Sequence, residues 1–261
     1  MKLYDVKDTG YKNYVRGLSL ANKPISFYTK NINHISVGDV LSMGEETYKR
    51  TMLPFMLSKD FIFGEDIPNV GMLDILTDES FNQYQDDLIF AISLVLNVDI
   101  KNVKIVKIDL YHKEILIEDK NFTNNLYIDN DKFEELKSIV LFINNLRELK
   151  KTDKEKDKFK STDEYNKRLE IFYKGKEEYD KVKTEKSNGD ILNMFDFLVH
   201  FQNNIDYNNV LQMNLYQFYN SIKICSKKED FMFTRDIYSS GQISLKGIEI
   251  PKFLKIIIED N

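Results

Sequence analysis

Apolar residues recur at helical spacing along most of the chain, and one central stretch switches to β-branched runs. The densest apolar and aromatic run is 190–241. It reads as consecutive helices that need a core to face. Taken in order, the first thirty residues are mixed. Leu18–Ala21 and Ile25–Tyr28, either side of Asn22-Lys23-Pro24, read as short extended pieces around a turn. From Ser36 the period is helical. Ser36 caps a helix with Asp39 in its first turn, and Val37, Val40 and Leu41 form its apolar side. Met43-Gly44 ends it, and Glu45-Glu46 opens a second helix with the stripe Tyr48, Met52, Phe55 and Met56. Pro54 lies inside that stripe and predicts a kink or an early end. Residues 60–64 read as a connector, and Asp66-Ile67-Pro68 as the opening of a short helix through Leu76.

Thr77 or Asp78 then caps a helix over 79–96. Its face is Phe81, Tyr84, Leu88, Ala91, Ile92 and Val95. Residues 103–108, 111–117 and 126–128 read as three strands of a small antiparallel sheet. Asp129 or Asn130 caps a helix to about Lys150, where Lys150 and Lys151 would suit its negative end. Beyond Asp190 the pattern predicts a helix over 191–201, apolar nearly all round. A short turn follows at 207–211, then a helix capped by Asn214, and another from Ser226 to about Tyr238. Leu215, Phe218, Tyr219, Ile222 and Cys225 share one side. Residues 242–258 carry further apolar tags, with Pro251 starting a last helical turn.

The fold class that follows is mainly α with a small antiparallel β-sheet, an α+β chain ending in a C-terminal helical module. It divides into an N-terminal α+β domain at 1–150, a charged connector or amphipathic helix at 151–188, and the helical module at 189–261. The connector region 150–186 holds thirteen basic and ten acidic side chains. Because the signs are interspersed, it reads first as a linker with a solvated helix, and second as a tethered partner-binding or nucleic-acid-binding helix.

Composition narrows the function classes. The chain has 261 residues, 42% hydrophobic and 13% aromatic, with no Trp. That is enough apolar material for a packed core. The net charge of −5 argues against a broadly basic nucleic-acid face. The opening residues lack the apolar core of a leader peptide, and no run reaches eighteen apolar residues, so no membrane span is expected. The single Cys225 excludes an internal disulfide and multi-cysteine metal sites, and suits a reducing cytoplasm.

Chemistry-bearing residues are scattered. His34, His112 and His200 lie far apart, with no metal-binding helical spacing. His200 reads as a core or interface group and Cys225 as a small core hydrophobe, with a Cys–His nucleophile pair as the alternative. The acidic pairs Glu45-Glu46, Asp86-Asp87, Glu134-Glu135 and Glu177-Glu178 read as solvated helix positions. A magnesium cluster of Asp74, Asp86 and Asp87 is the sharper alternative. The sequence has no phosphate-binding glycine loop, dinucleotide fingerprint or nucleophile elbow.

Three stretches carry a resemblance. They are Ile35–Tyr48, the helix Lys132–Leu149 with its charged connector, and most strongly Val210–Lys223 with the stop Tyr238-Ser239-Ser240-Gly241 downstream. Ser244–Gly247 and Phe253-Leu254 add to it. Together they resemble tail-morphogenesis proteins of phages and prophages of low-GC Gram-positive bacteria, many of them tail assembly chaperones. The resemblance implies no enzyme activity and no catalytic residues, and the motifs and spacings point to no cofactor and no metal. The implied partners are phage tail proteins, the tape-measure protein among them; run length argues against a membrane and net charge against nucleic acid. The implied location is the host cytoplasm, or the virion if the protein is a tail or baseplate part. Leu215, Tyr216, Phe218 and Tyr219 are the candidate partner-binding residues. The competing classes are an enzyme or nucleic-acid-processing factor with a fold-assembled site, and an inhibitor of host defence.

Overall fold

Residues 5–63, 70–109, 112–119, 124–149, 190–202 and 205–239 are described by the computed structural model. The first element corrects the expected extended arm. Thr9–Leu20 form a helix, α1, capped by Asp8, whose carboxylate accepts from Tyr11 N at 2.8 Å. The short Leu-Ser-Leu alternation loses to the longer stripe Tyr11, Val15 and Leu18, which faces the core at helical spacing. An antiparallel hairpin follows, β1 (Ile25–Phe27) against β2 (Lys30–Ile32), with Ile25 opposite Ile32. The second strand, three residues long, goes beyond the extended pieces that the sequence predicts.

Helix α2 (Val37–Met43) starts as its sequence predicts. Ser36 Oγ accepts from Asp39 N, and Asp39 Oδ2 accepts from Ser36 N, each at 3.0 Å. Gly44, at φ +88°, turns the chain directly into α3 (Glu45–Met56). That helix runs two residues past Pro54. In place of the expected connector, Lys59–Phe63 form a helical turn, α4.

Helix α5 (Met72–Thr77) begins later than predicted, while Asp66-Ile67-Pro68 lie outside the described residues. Its first N–H groups are capped from elsewhere in the chain. Asn130 Oδ1 accepts from Leu73 N at 2.9 Å and Asp74 N at 3.4 Å. Gly71 makes room for this, since a Cβ there would lie 1.8 Å from Asn130 Oδ1. A 3-10 turn (Glu79–Phe81), capped by Asp78, leads into α6 (Asn82–Leu96). All six residues of its predicted face are buried.

Strands β3 (Val103–Lys107), β4 (Lys113–Ile117) and β5 (Leu126–Ile128) form an antiparallel sheet in that order. Val103, Ile115, Ile117, Leu126 and Ile128 turn inward. Helix α7 (Asn130–Ile143), capped by Asp129, stops well short of Lys150. Asn145, at φ +53°, reverses the chain, and Leu146 N bonds back to Leu141 O at 2.9 Å. Leu149 then docks on α3, and Lys150 and Lys151, expected at the helix end, lie outside the described residues.

The C-terminal part supplies α8 (Asp190–Phe201), α9 (Tyr207–Gln212) and α10 (Leu215–Ser239). Helix α8, expected to be buried or interface-forming, turns Ile191, Phe195 and Leu198 to the core and leaves Leu192 about half exposed. The two helices expected after Asn214 are one, because no Gly or Pro interrupts 215–239.

Among the described residues the protein is therefore mostly helical with two small antiparallel sheets. Its buried residues form one cluster running from Val15 to Cys225, with Phe55 stacked on Phe133 at 5.8 Å. Helix α9 packs on α2, and α10 on α1, α7 and α8. The described helices of 189–261 thus share the core of the N-terminal half. The connector 151–188 and the tail 240–261 lie outside the described residues. Among the described residues no helix is long and apolar enough to cross a membrane.

Candidate functional site

The start of α10 is held on the N-terminal half by backbone and side chain together. Val37 N donates to Met213 O at 2.9 Å and Leu215 N to Ile35 O at 3.0 Å, an antiparallel bridge between Ser36 and Asn214. Asn214 caps the helix: its Oδ1 accepts from Gln217 N at 2.8 Å, while Gln217 Oε1 accepts from Asn214 N at 3.1 Å. Its amide also reaches across the fold. Nδ2 donates to Ser19 O at 2.8 Å and to Asn22 Oδ1 at 3.0 Å, and Gln217 Nε2 donates to Leu20 O at 2.9 Å. Asn22 is held at φ +51°, which an asparagine adopts more readily than most residues. Asn214 is buried, so these bonds exchange little with water.

This docking sorts the four candidate partner-binding residues. Leu215 and Phe218 are buried in the shared core. Tyr216 and Tyr219 are half-buried at its edge. The Tyr216 ring tilts against Phe142 of α7 at 5.4 Å, and Lys12 lies over the other ring of that pair at 5.8 Å. Burial pushes the Tyr216 hydroxyl above its ordinary ionisation range, with nearby Arg16 opposing. Tyr219 meets Phe218 edge-on at 5.4 Å. Beneath them, burial pushes the Tyr48 hydroxyl far above the usual phenol range, and Tyr219 adds to the shift. That hydroxyl makes no hydrogen bond among the described residues.

The apolar surface of this stretch lies on other side chains. Leu192 of α8 and Tyr207 of α9 are each about half exposed, and Ile224 and Met232 are open along α10. Tyr207 tilts on Phe195 at 5.4 Å and takes the His200 ring edge-on at 6.5 Å. His200 is exposed, so of the two expected places, core or interface, it is not in the core. Cys225 is buried as expected, and Gln202 Nε2 donates to its Sγ at 2.9 Å.

One pair of chemistry-bearing residues does converge. His112 Nδ1 lies 3.2 Å from Asp74 Oδ2. The Asp74 carboxylate is buried and also accepts from Asn130 Nδ2 at 2.7 Å and Lys113 N at 3.2 Å. It ties α5 to the start of β4 and to the head of α7, and the Lys113 ammonium adds a bond to Thr77 O. With its oxygens engaged by three donors, Asp74 acts as a brace, and the outward His112 closes it. The proposed magnesium trio does not assemble. Asp87 pairs with Arg50 at 3.2 Å, Asp86 is exposed, and no group of three metal-ligating side chains occurs among the described residues. His34 turns to a backbone oxygen, that of Lys23, at 2.9 Å. Sequence spacing held no sign of the brace, because Asp74 is 38 positions from His112 and 56 from Asn130.

The geometry defines a helix-rich α+β body into which the C-terminal helices are built through the start of α10. Residues 182–258 match a family model described as the YomV second domain, a phage-associated family. The match includes Val210–Lys223, the stretch with the strongest resemblance to phage proteins. No curated protein and no solved structure matches the chain.

Proposed function

We propose that this chain is a non-catalytic phage protein of tail assembly, a chaperone-like binder of tail components with the tape-measure protein as its candidate partner. The observation that carries the reading is the coincidence, over one stretch, of a phage-associated domain match with open apolar side chains. Leu192, Tyr207, Ile224 and Met232 are the open apolar side chains of that stretch, and Tyr216 and Tyr219 are half-buried within it. Leu215 and Phe218 serve instead as the root that fixes α10 in the body. Covering a partner's apolar segment gains roughly 1.5–3 kcal/mol for each fully buried large side chain. Three or four anchors are then enough for reversible binding once ordering costs are deducted. The reading needs neither membrane nor nucleic acid, and places the protein in the host cytoplasm during assembly.

The test is co-purification of the tagged chain from cells producing phage, with the bound proteins identified by mass spectrometry. Recovery of tail proteins is expected, and recovery of none overturns the proposal. Proteomics of purified particles separates a transient binder, absent from them, from a tail or baseplate part present in stoichiometric amounts.

A further inference from the structure

Residues 150–189 separate two points that the fold pins to opposite ends of one helix. Leu149 is fixed at the C-terminal end of α3. Its N–H donates to Met56 O at 2.8 Å and its carbonyl accepts from Ser58 Oγ at 2.7 Å. A second fastening lies beside it: the buried Lys137 donates to Leu57 O at 2.7 Å and pairs with Glu148 at 2.8 Å. Ile191 is fixed at the N-terminal end of the same helix. Its N–H donates to Glu45 Oε2 at 3.4 Å and its side chain enters the core. Helix α3 has 12 residues, so its ends are roughly 17 Å apart. About six extended residues would cover that distance. Forty positions, from 150 to 189, stand where six would do.

We infer that the N-terminal body and the helices α8 to α10 are complementary pieces of one folding unit that recognise each other without the connector. The surface between them is the Ser36–Asn214 bridge, the Asn214 and Gln217 amides on the end of α1, and the burial of Leu215 and Phe218. The partner that this surface takes is a segment of the same chain.

The experiment uses the full chain with a protease recognition site placed within 150–189. After cutting, the two pieces are expected to co-elute as one particle and to melt in one transition. Asn214→Ala in the cut protein is expected to weaken their association at least tenfold. In a second variant, residues 152–187 are replaced by a ten-residue Gly/Ser linker. It is expected to keep or raise the melting temperature, because a shorter closed loop costs less entropy. Pieces that separate on the column at micromolar concentration, an affinity unmoved by Asn214→Ala, or a shortened chain without a cooperative melt would each overturn the inference.

Discussion

Asn214 does two separable jobs, and two substitutions tell them apart. Its Oδ1 caps α10, while its Nδ2 donates to Ser19 O and Asn22 Oδ1 across the fold. Asn214→Ala removes both. Loss of an N-cap costs about 1 kcal/mol. Each lost buried hydrogen bond costs about 1 kcal/mol net. Since the groups act together, the sum is an upper guide, and about 2–3 kcal/mol is expected. At about 2–4 °C per kcal/mol for a chain of this size, the melting temperature should fall by about 5–10 °C. Asn214→Asp keeps the cap, because aspartate caps as well as asparagine. It also turns a carboxylate oxygen toward two acceptors in a buried site. At pH 7 it should therefore cost at least as much as the alanine variant. The introduced carboxyl has a folded-state pKa raised above its unfolded one. Its protonated form supplies the missing donor, so the gap to wild type should narrow as pH falls. Thermal and urea unfolding followed by far-ultraviolet circular dichroism measure both. If Asn214→Asp matches wild type at pH 7, capping alone explains the residue and the cross-fold donation counts for nothing.

Three further outcomes are expected. Gly71→Ala should cost about 2 kcal/mol, because its Cβ displaces the Asn130 amide from α5 and from Asp74. In an Asn130→Ala background the same change should cost less than about 0.5 kcal/mol, and additive costs in urea unfolding would contradict this coupling. Tyr48→Phe should leave stability unchanged or raise it by about 1 kcal/mol, since it removes a buried hydroxyl with no partner among the described residues. A clear loss in melting temperature would reveal a bond to that oxygen. Burial holds His34 below its ordinary value of 6.5, against the opposing bond to Lys23 O. The folded chain therefore binds that proton less readily than the unfolded chain. Its contribution is complete above the unfolded value and declines as pH drops below it toward the lower folded value. His34→Asn should flatten this part of the stability profile between pH 7.5 and 5.5, and an unchanged slope would exclude His34 as its source.

How much of this could be read along the chain depended on how local its cause was. The Ser36–Asp39 capping box, the Gly44 turn, the six-residue face of α6 and the three β-branched strands each arise from residues within one or two turns of one another. Their period and caps were legible without any tertiary information. The same local logic misled where two patterns competed. Leu18–Ala21 alternates like a strand over four residues, yet the wider stripe of α1 has a core to meet. The charged Ser226–Asp230 resembles a fresh helix start, yet α10 runs through it unbroken.

By itself, then, the sequence determined the fold class, the positions of most elements and the apolar sides they carry, because capping and hydrophobic spacing act over a few residues. Only the tertiary structure decided what those sides meet. It set the start of α5 through Asn130, 57 positions from Leu73. It drew Asp74 and His112 together into a brace. It also divided the four aromatic and aliphatic candidates of α10, with Leu215 and Phe218 inside and Tyr216 and Tyr219 at the rim. An apolar stripe states that a face will be covered. Which surface covers it is chosen by the free energy of the whole packed core, to which residues more than a hundred positions apart contribute.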